Sequence, residues 1–220
     1  EAARSLIATR HFQPWEGGEG LALDQHVRTH LALGKQRLGA GDGAGALVMF
    51  KHALETPGNL GEAKHLLVNQ ADIYYFLGQA ARLTGDLESA KEFWLHSATF
   101  VGDFQEMSVR QYSEMTFYSA MSLKSLGKLK RSEKLLRDLL SFAKKLEETP
   151  AKIDYFATSL PAMLLFEADL QTDQTFAAHF MMAQALTGLG KKEKAKRLIS
   201  ELIRSDPNYA LAIDFESTFL

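Results

Sequence analysis

The chain has 220 residues, 46% hydrophobic and 24% charged, enough to bury a sizeable core within one continuous domain. Residues 1–110 carry 10 basic against 13 acidic side chains and the remainder 15 against 14, so neither half has the basic excess of a nucleic-acid binder. Cysteine is absent, which excludes disulfides, thiol catalysis and thiolate zinc sites, and no apolar run approaches the ~20 residues of a membrane span.

Residues 1–9, EAARSLIAT, read as a short helix with Leu6 and Ile7 on its apolar side. It stops at RHFQPWEGGEG, residues 10–20, where Pro14 and three glycines punctuate the backbone. Helical periodicity resumes near Leu21, and a first helix–turn–helix unit is predicted over 27–60, with its turn at Gly41 to Gly43. A second is predicted over 71–104, turning at Gly85-Asp86, and a third over 113–146 around Gly127.

The clearest unit is 176–209, FAAHFMMAQALTGLGKKEKAKRLISELIRSDPNY, two amphipathic helices joined at Gly190 and closed by Pro207. Its Met182, Ala183, Ala195, Ile199 and Leu202 align with Leu33, Gly34, Ala46, Phe50 and Ala53 in the first unit. Tyr74, Leu77, Gly78, Ala81, Ala90, Trp94 and Ser97 mark the second unit, and Ala120, Leu123, Ser132, Leu136 and Leu139 the third. The small residues sit where two helix axes approach to ~8–10 Å and leave no room for larger side chains. Each second helix starts just after a glycine, whose tolerance of positive φ suits the end of the first.

Starts at 27, 71, 113 and 176 leave extra residues at 61–70, 105–112 and 147–175. The first two are expected to lengthen helices or links. The third is long enough for an element of its own, with Ser159 as a candidate cap and Pro161 forbidding one uninterrupted helix. Residues 208–219 are expected to form a terminal helix that shields the last repeat.

These four segments resemble tetratricopeptide repeats, 34-residue helix hairpins that stack into solenoids. The family's bulky fourth-position residue is present only as Tyr74, and its eleventh-position aromatic is replaced by Arg37, Ala81, Leu123 and Leu186. The resemblance implies an all-α, right-handed superhelical solenoid of about four repeats with inserts and a C-terminal capping helix, one domain over 1–220 with 1–26 as N-terminal cap. It also implies a non-catalytic scaffold whose partner is a protein or peptide, with no cofactor, metal, nucleic acid or membrane. The stretches HFQPWEGGEG, ETPGNLGEAKHL and KIDYFATSLPAMLLFEADL are similar to the C-terminal repeat region of large bacterial proteins with an upstream portion like carbohydrate-active β-rich domains. On that resemblance the partner is the upstream domain of the same polypeptide. The chain opens on Glu1 and carries no basic-then-apolar leader, so a fragment of a longer, cytoplasmic protein is expected.

The candidate binding residues are His11, Trp15, Glu16, Glu19, Asn59, Glu62, Lys64, Asp154 and Tyr155. Trp15 offers a stacking platform for a sugar ring, with Glu16 and Glu19 to accept hydroxyl protons; the plain alternative is a loop laying Trp15 over the first repeat. Asn59, Glu62, Lys64 and His65 either line a ligand site or cap helices and form a surface network. His26 and His30 share one helix face at i, i+4, a zinc-like spacing that lacks the glutamate of HExxH; His52, His65, His96 and His179 look scattered. The lysines of 124–145 and 191–204 form either a solvated face or a patch for an anionic partner. The apolar run from Tyr155 to Phe166 is core, or an element that docks another domain or subunit, which keeps self-association open. No phosphate loop, nucleophile elbow or metal-binding cysteine pattern is present.

Overall fold

The computed structural model describes residues 1–13, 20–105, 108–152 and 169–220, and divides the chain into two compact units, Glu1–Ser97 and Ala98–Leu220. The first holds α1 (Ala2–Thr9), α2 (Leu21–Gly39), α3 (Gly43–Leu54), a 3₁₀ turn (Gly58–Leu60), α4 (Ala71–Leu83) and α5 (Leu87–Ser97). The second holds a ribbon of β1 (Asp103–Gln105) and β2 (Ser108–Arg110), then α6 (Met115–Ser125), α7 (Leu129–Glu148), α8 (Leu170–Gly188), α9 (Lys192–Ser205) and α10 (Ala210–Phe219). In the first unit the α2–α3 hairpin stacks on the α4–α5 hairpin through α3 and α4; in the second, α6–α7 stacks on α8–α9 through α7 and α8, and α10 follows. Apart from the short ribbon, the described residues are all-α, built of helix hairpins that turn at Gly41, Gly85, Gly127 and Gly190.

One backbone device makes all four of these hairpins. Gly41, Gly85, Gly127 and Gly190 have φ of 79°, 85°, 73° and 79°, and the residue after each donates its N–H to the carbonyl five positions back. Those bonds are Asp42 to Arg37 at 2.9 Å, Asp86 to Ala81 at 3.0 Å, Lys128 to Leu123 at 2.9 Å and Lys191 to Leu186 at 2.8 Å. The reversal satisfies carbonyls that a helix end would otherwise leave bare, and only a residue without Cβ takes that φ freely.

Packing inside each hairpin pairs a small residue of the first helix with a large one sixteen positions on. A Cβ built on Gly34 would lie 2.3 Å from the Phe50 ring, and one on Gly78 would lie 2.3 Å from Trp94 Nε1. The same two positions hold Ala120 and Leu136, and Ala183 and Ile199, all buried in the core of the second unit. Where the first helix carries glycine the second carries an aromatic ring, and where it carries alanine an aliphatic chain, so volume is roughly conserved across the contact. Buried hydroxyls are satisfied within the same contact: Ser97 donates to the Ala71 carbonyl and Ser132 to that of Ala120, both at 2.7 Å.

The linkers differ from the sequence-based expectation. Residues 61–70 lengthen no helix but run as an irregular link to α4, and 103–105 pair with 108–110 as a two-stranded antiparallel ribbon with Phe104 opposite Val109. Helix α8 begins at Leu170, six residues before the predicted repeat. Residues 153–168, with Ser159, Pro161 and the whole apolar run from Tyr155 to Phe166, lie outside the described residues. The terminal helix packs Phe215 against Phe180 at 5.6 Å and Phe117 at 5.3 Å, so it covers α6 as well as the last hairpin.

Glycine to alanine inside a helix ordinarily gains about 1 kcal/mol of propensity. At Gly78 the overlap with Trp94 should reverse that sign and cost about 1–3 kcal/mol, lowering the thermal midpoint, while Gly39→Ala, with open space around it, should leave the midpoint unchanged or raise it. Circular dichroism melts of the two variants compare them directly; equal midpoints would remove the close-approach argument.

Candidate functional site

The residues singled out between 56 and 66 lie together in the first unit, where they hold other elements in place. Asn59 Nδ2 donates to the carbonyls of Ile7 at 2.8 Å and Arg10 at 2.7 Å, while its own carbonyl accepts the Phe12 N–H at 2.8 Å. One side chain thus receives the bare carbonyl end of α1. The Glu62 carboxylate accepts from the amides of Gly20 at 2.6 Å and Leu23 at 2.8 Å, closing the N-terminus of α2. Lys64 Nζ donates to the carbonyls of Leu54 at 3.1 Å and Ala53 at 3.4 Å, at the C-terminus of α3. An anion at a helix start and a cation at a helix end both oppose the local dipole charge. Burial pulls the Lys64 ammonium below the ordinary lysine value, with Asp72 opposing, and burial followed by Glu62 pushes the Asp24 carboxyl up.

Above these staples is a cleft of about 380 Å³, with apolar walls from Leu6, Ile7, Phe12, Leu21 and Leu60 and polar groups from Gln13, Gln25 and Glu62. Ile7, Leu23 and Leu60 form the small core beneath it, and Leu6 and Leu21 stay more than half exposed at its mouth. Phe12, Leu21 and Gln25 were not singled out from the sequence. The signal was available: Leu21 and Gln25 fall at i, i+4 on the first turns of α2, beside the irregular stretch 10–20. His11 is exposed. Trp15, Glu16, Glu19, Asp154 and Tyr155 lie outside the described residues.

The histidine pair proves to be part of a row of three. His26 and His30 are buried with ring centroids 4.3 Å apart, and His52, which looked scattered in sequence, stacks on His30 at 5.6 Å from the neighbouring helix. A carbonyl only accepts, so His26 Nε2–H donates to the His52 carbonyl and His30 Nδ1–H to that of His26, both at 2.8 Å. Among the described residues no group of three or more His, Asp or Glu side chains is placed to hold a metal ion. The row ties α2 to the end of α3.

A family model described as a tetratricopeptide repeat matches residues 71–95 and 176–209. The first match covers α4 and most of α5; the second coincides with the repeat read from sequence and with the α8–α9 hairpin. Both segments match the family by sequence and fold as helix hairpins.

Two outcomes follow from this geometry. Asn59→Ala removes the side-chain bonds to the Ile7 and Arg10 carbonyls and should cost about 1 kcal/mol, with residues 2–10 gaining the fastest amide exchange. The second concerns acid. Burial lowers His30 below the ordinary value of 6.5, helped by His26, His52 and Arg4, while the His26 carbonyl opposes. Arg4 reaches it from α1, where it pairs with Glu1 at 3.0 Å, and His52 stands 3.8 Å from Glu55. Below pH 6.5 the unfolded chain takes up a proton that the folded ring refuses, so stability present at neutral pH is lost as pH falls through the lowered folded value. The thermal midpoint should drop between pH 7 and about 5, and His30→Phe should remove part of that drop. An unchanged pH slope in the variant would show that the row is not titrating.

Proposed function

We propose that this chain is a non-catalytic scaffold that binds a protein or peptide, the upstream domain of its own polypeptide being the first partner to test. The observation that carries the reading is the coincidence of two tetratricopeptide matches with two helix hairpins, each stacked on another hairpin of its own unit, since such repeats in general bind proteins and peptides. Stacked hairpins present side chains of successive first helices at fixed spacing, so a partner meets a surface already ordered and binding costs little conformational entropy. The apolar cleft beside α1 supplies a second feature suited to binding a partner, because Leu6 and Leu21 stand at its mouth with their side chains more than half exposed. No helix among the described residues is long and apolar enough to cross a membrane.

The competing reading is a carbohydrate-handling role in which the stretch His11–Glu19 contributes to a shared sugar site. What favours it is that Phe12 and Gln13, at the start of that stretch, line the cleft. Against it, Asn59 Nδ2 and both Glu62 carboxylate oxygens are already bonded to backbone.

Purified chain mixed with the upstream part of its polypeptide should co-elute in size-exclusion chromatography. Leu6→Glu with Leu21→Glu, both at exposed positions, should weaken that complex about tenfold or more without lowering the thermal midpoint. Binding to a glycan array with no upstream complex would favour the sugar reading instead.

A further inference from the structure

The four hairpin turns share one backbone and differ in one side chain. The residue after the turn glycine is Asp42 and Asp86 in the first unit, Lys128 and Lys191 in the second. The aspartates cap the next helix: Asp42 Oδ1 accepts from the Gly45 amide at 2.8 Å and Asp86 Oδ1 from the Ser89 amide at 3.0 Å. An ammonium accepts nothing, and α7 and α9 have no side-chain cap. Both lysines sit where the helix dipole is already positive, the wrong sign for stability.

The packing of the second unit gathers these lysines with others. Helices α7 and α8 are antiparallel, since His179 bonds Glu147 at 2.7 Å near one end and a Cβ on Gly188 would touch Leu136 at the other. Helix α9 then reverses at Gly190, so α7 and α9 start at the same edge with the end of α8 between them. Lys124, Lys128, Lys130 and Arg131 come from one turn, Lys191 and Lys194 from the other, all exposed. No ion-pair or hydrogen-bond partner for these six side chains is found among the described residues. On the two turns themselves Glu133 is taken by Arg137 at 2.6 Å, which leaves Glu193; the end of α10 also reaches this edge, where the Phe219 carbonyl accepts from Lys192 Nζ at 3.2 Å. On these two turns six cations face one open carboxylate, at two helix starts that forgo their caps, which breaks a local stability rule twice at equivalent positions.

Resting on the protein-binding reading above, we propose that this edge docks an acidic segment of the partner polypeptide. Two helix spacings separate the cation groups, roughly 16–20 Å, which an extended chain of about five or six residues crosses. The segment therefore carries Asp or Glu clusters about that far apart. No aromatic residue occurs in 124–134 or 186–197, so the two turns carry no base-stacking platform of the kind single-strand binders use. Leu129, 60% exposed between the lysines, suits a segment with an apolar residue among its acids and is too little to anchor a membrane.

The test uses the full chain and a fluorescent peptide of about a dozen residues with two Asp/Glu clusters spaced in this way. It should bind, more weakly as salt rises, and Lys130→Glu with Arg131→Glu and Lys194→Glu should lose about tenfold or more in affinity, while Arg82→Glu in the first unit changes nothing. Lys128→Asp with Lys191→Asp separates the two roles: it installs the missing caps, so the thermal midpoint should rise by about 2–8 °C while peptide affinity falls. A raised midpoint with peptide binding intact would overturn the proposal, as would no binding at low salt. Tighter capture of an oligonucleotide or of anionic vesicles than of the peptide would overturn the assignment to an acidic polypeptide. If the upstream partner still co-elutes with the charge-reversed chain, this edge fails while the scaffold reading stands.

Discussion

Everything in this molecule depends on how close two helices of a hairpin can come. Gly34 against Phe50 and Gly78 against Trp94 admit a flat ring directly onto the helix backbone. Ala120 with Leu136 and Ala183 with Ile199 occupy the same places with one methyl more on one side and a smaller group on the other. The contact sets the spacing within each hairpin, and the opposite sides of those helices are then left apolar. A neighbouring hairpin has to cover them, which is why α3 lies on α4 and α7 on α8.

Reversing direction is solved once and used four times. Because the glycine and the N–H of the next residue carry the turn, the side chain of that next residue is released from structural duty. Aspartate there adds a cap and an extra hydrogen bond; lysine there adds only charge. The first unit takes the stability and the second forgoes it at Lys128 and Lys191, so a difference in surface chemistry sits on an unchanged backbone.

The stretch 56–66 shows why polar residues in a link are a poor guide to a ligand. Asn59, Glu62 and Lys64 sit beside three helix ends, and helix ends carry unbonded amides and carbonyls that must be met. The walls of the cleft above them are hydrocarbon from Leu6, Phe12 and Leu21, residues whose type alone says nothing of a site. The row of histidines makes the same point for longer range: the i, i+4 spacing of His26 and His30 was legible, but His52 joins them from another helix.

By itself the sequence determined the repeat: the helix hairpins, the small residues at their crossings and the glycine turns. These are local, because each is fixed within a single hairpin by contacts a few turns apart. It also carried the doubled lysines at the turns, though as composition without a place. Tertiary structure decided what the links do, since the pairing of 103–105 with 108–110 and an irregular run at 61–70 answer to the helices they join and not to their own propensity. It decided, too, that α10 reaches past its own hairpin to Phe117, and that lysines more than fifty residues apart share one edge. Antiparallel packing places such residues together, and that arrangement is a property of whole helices laid side by side.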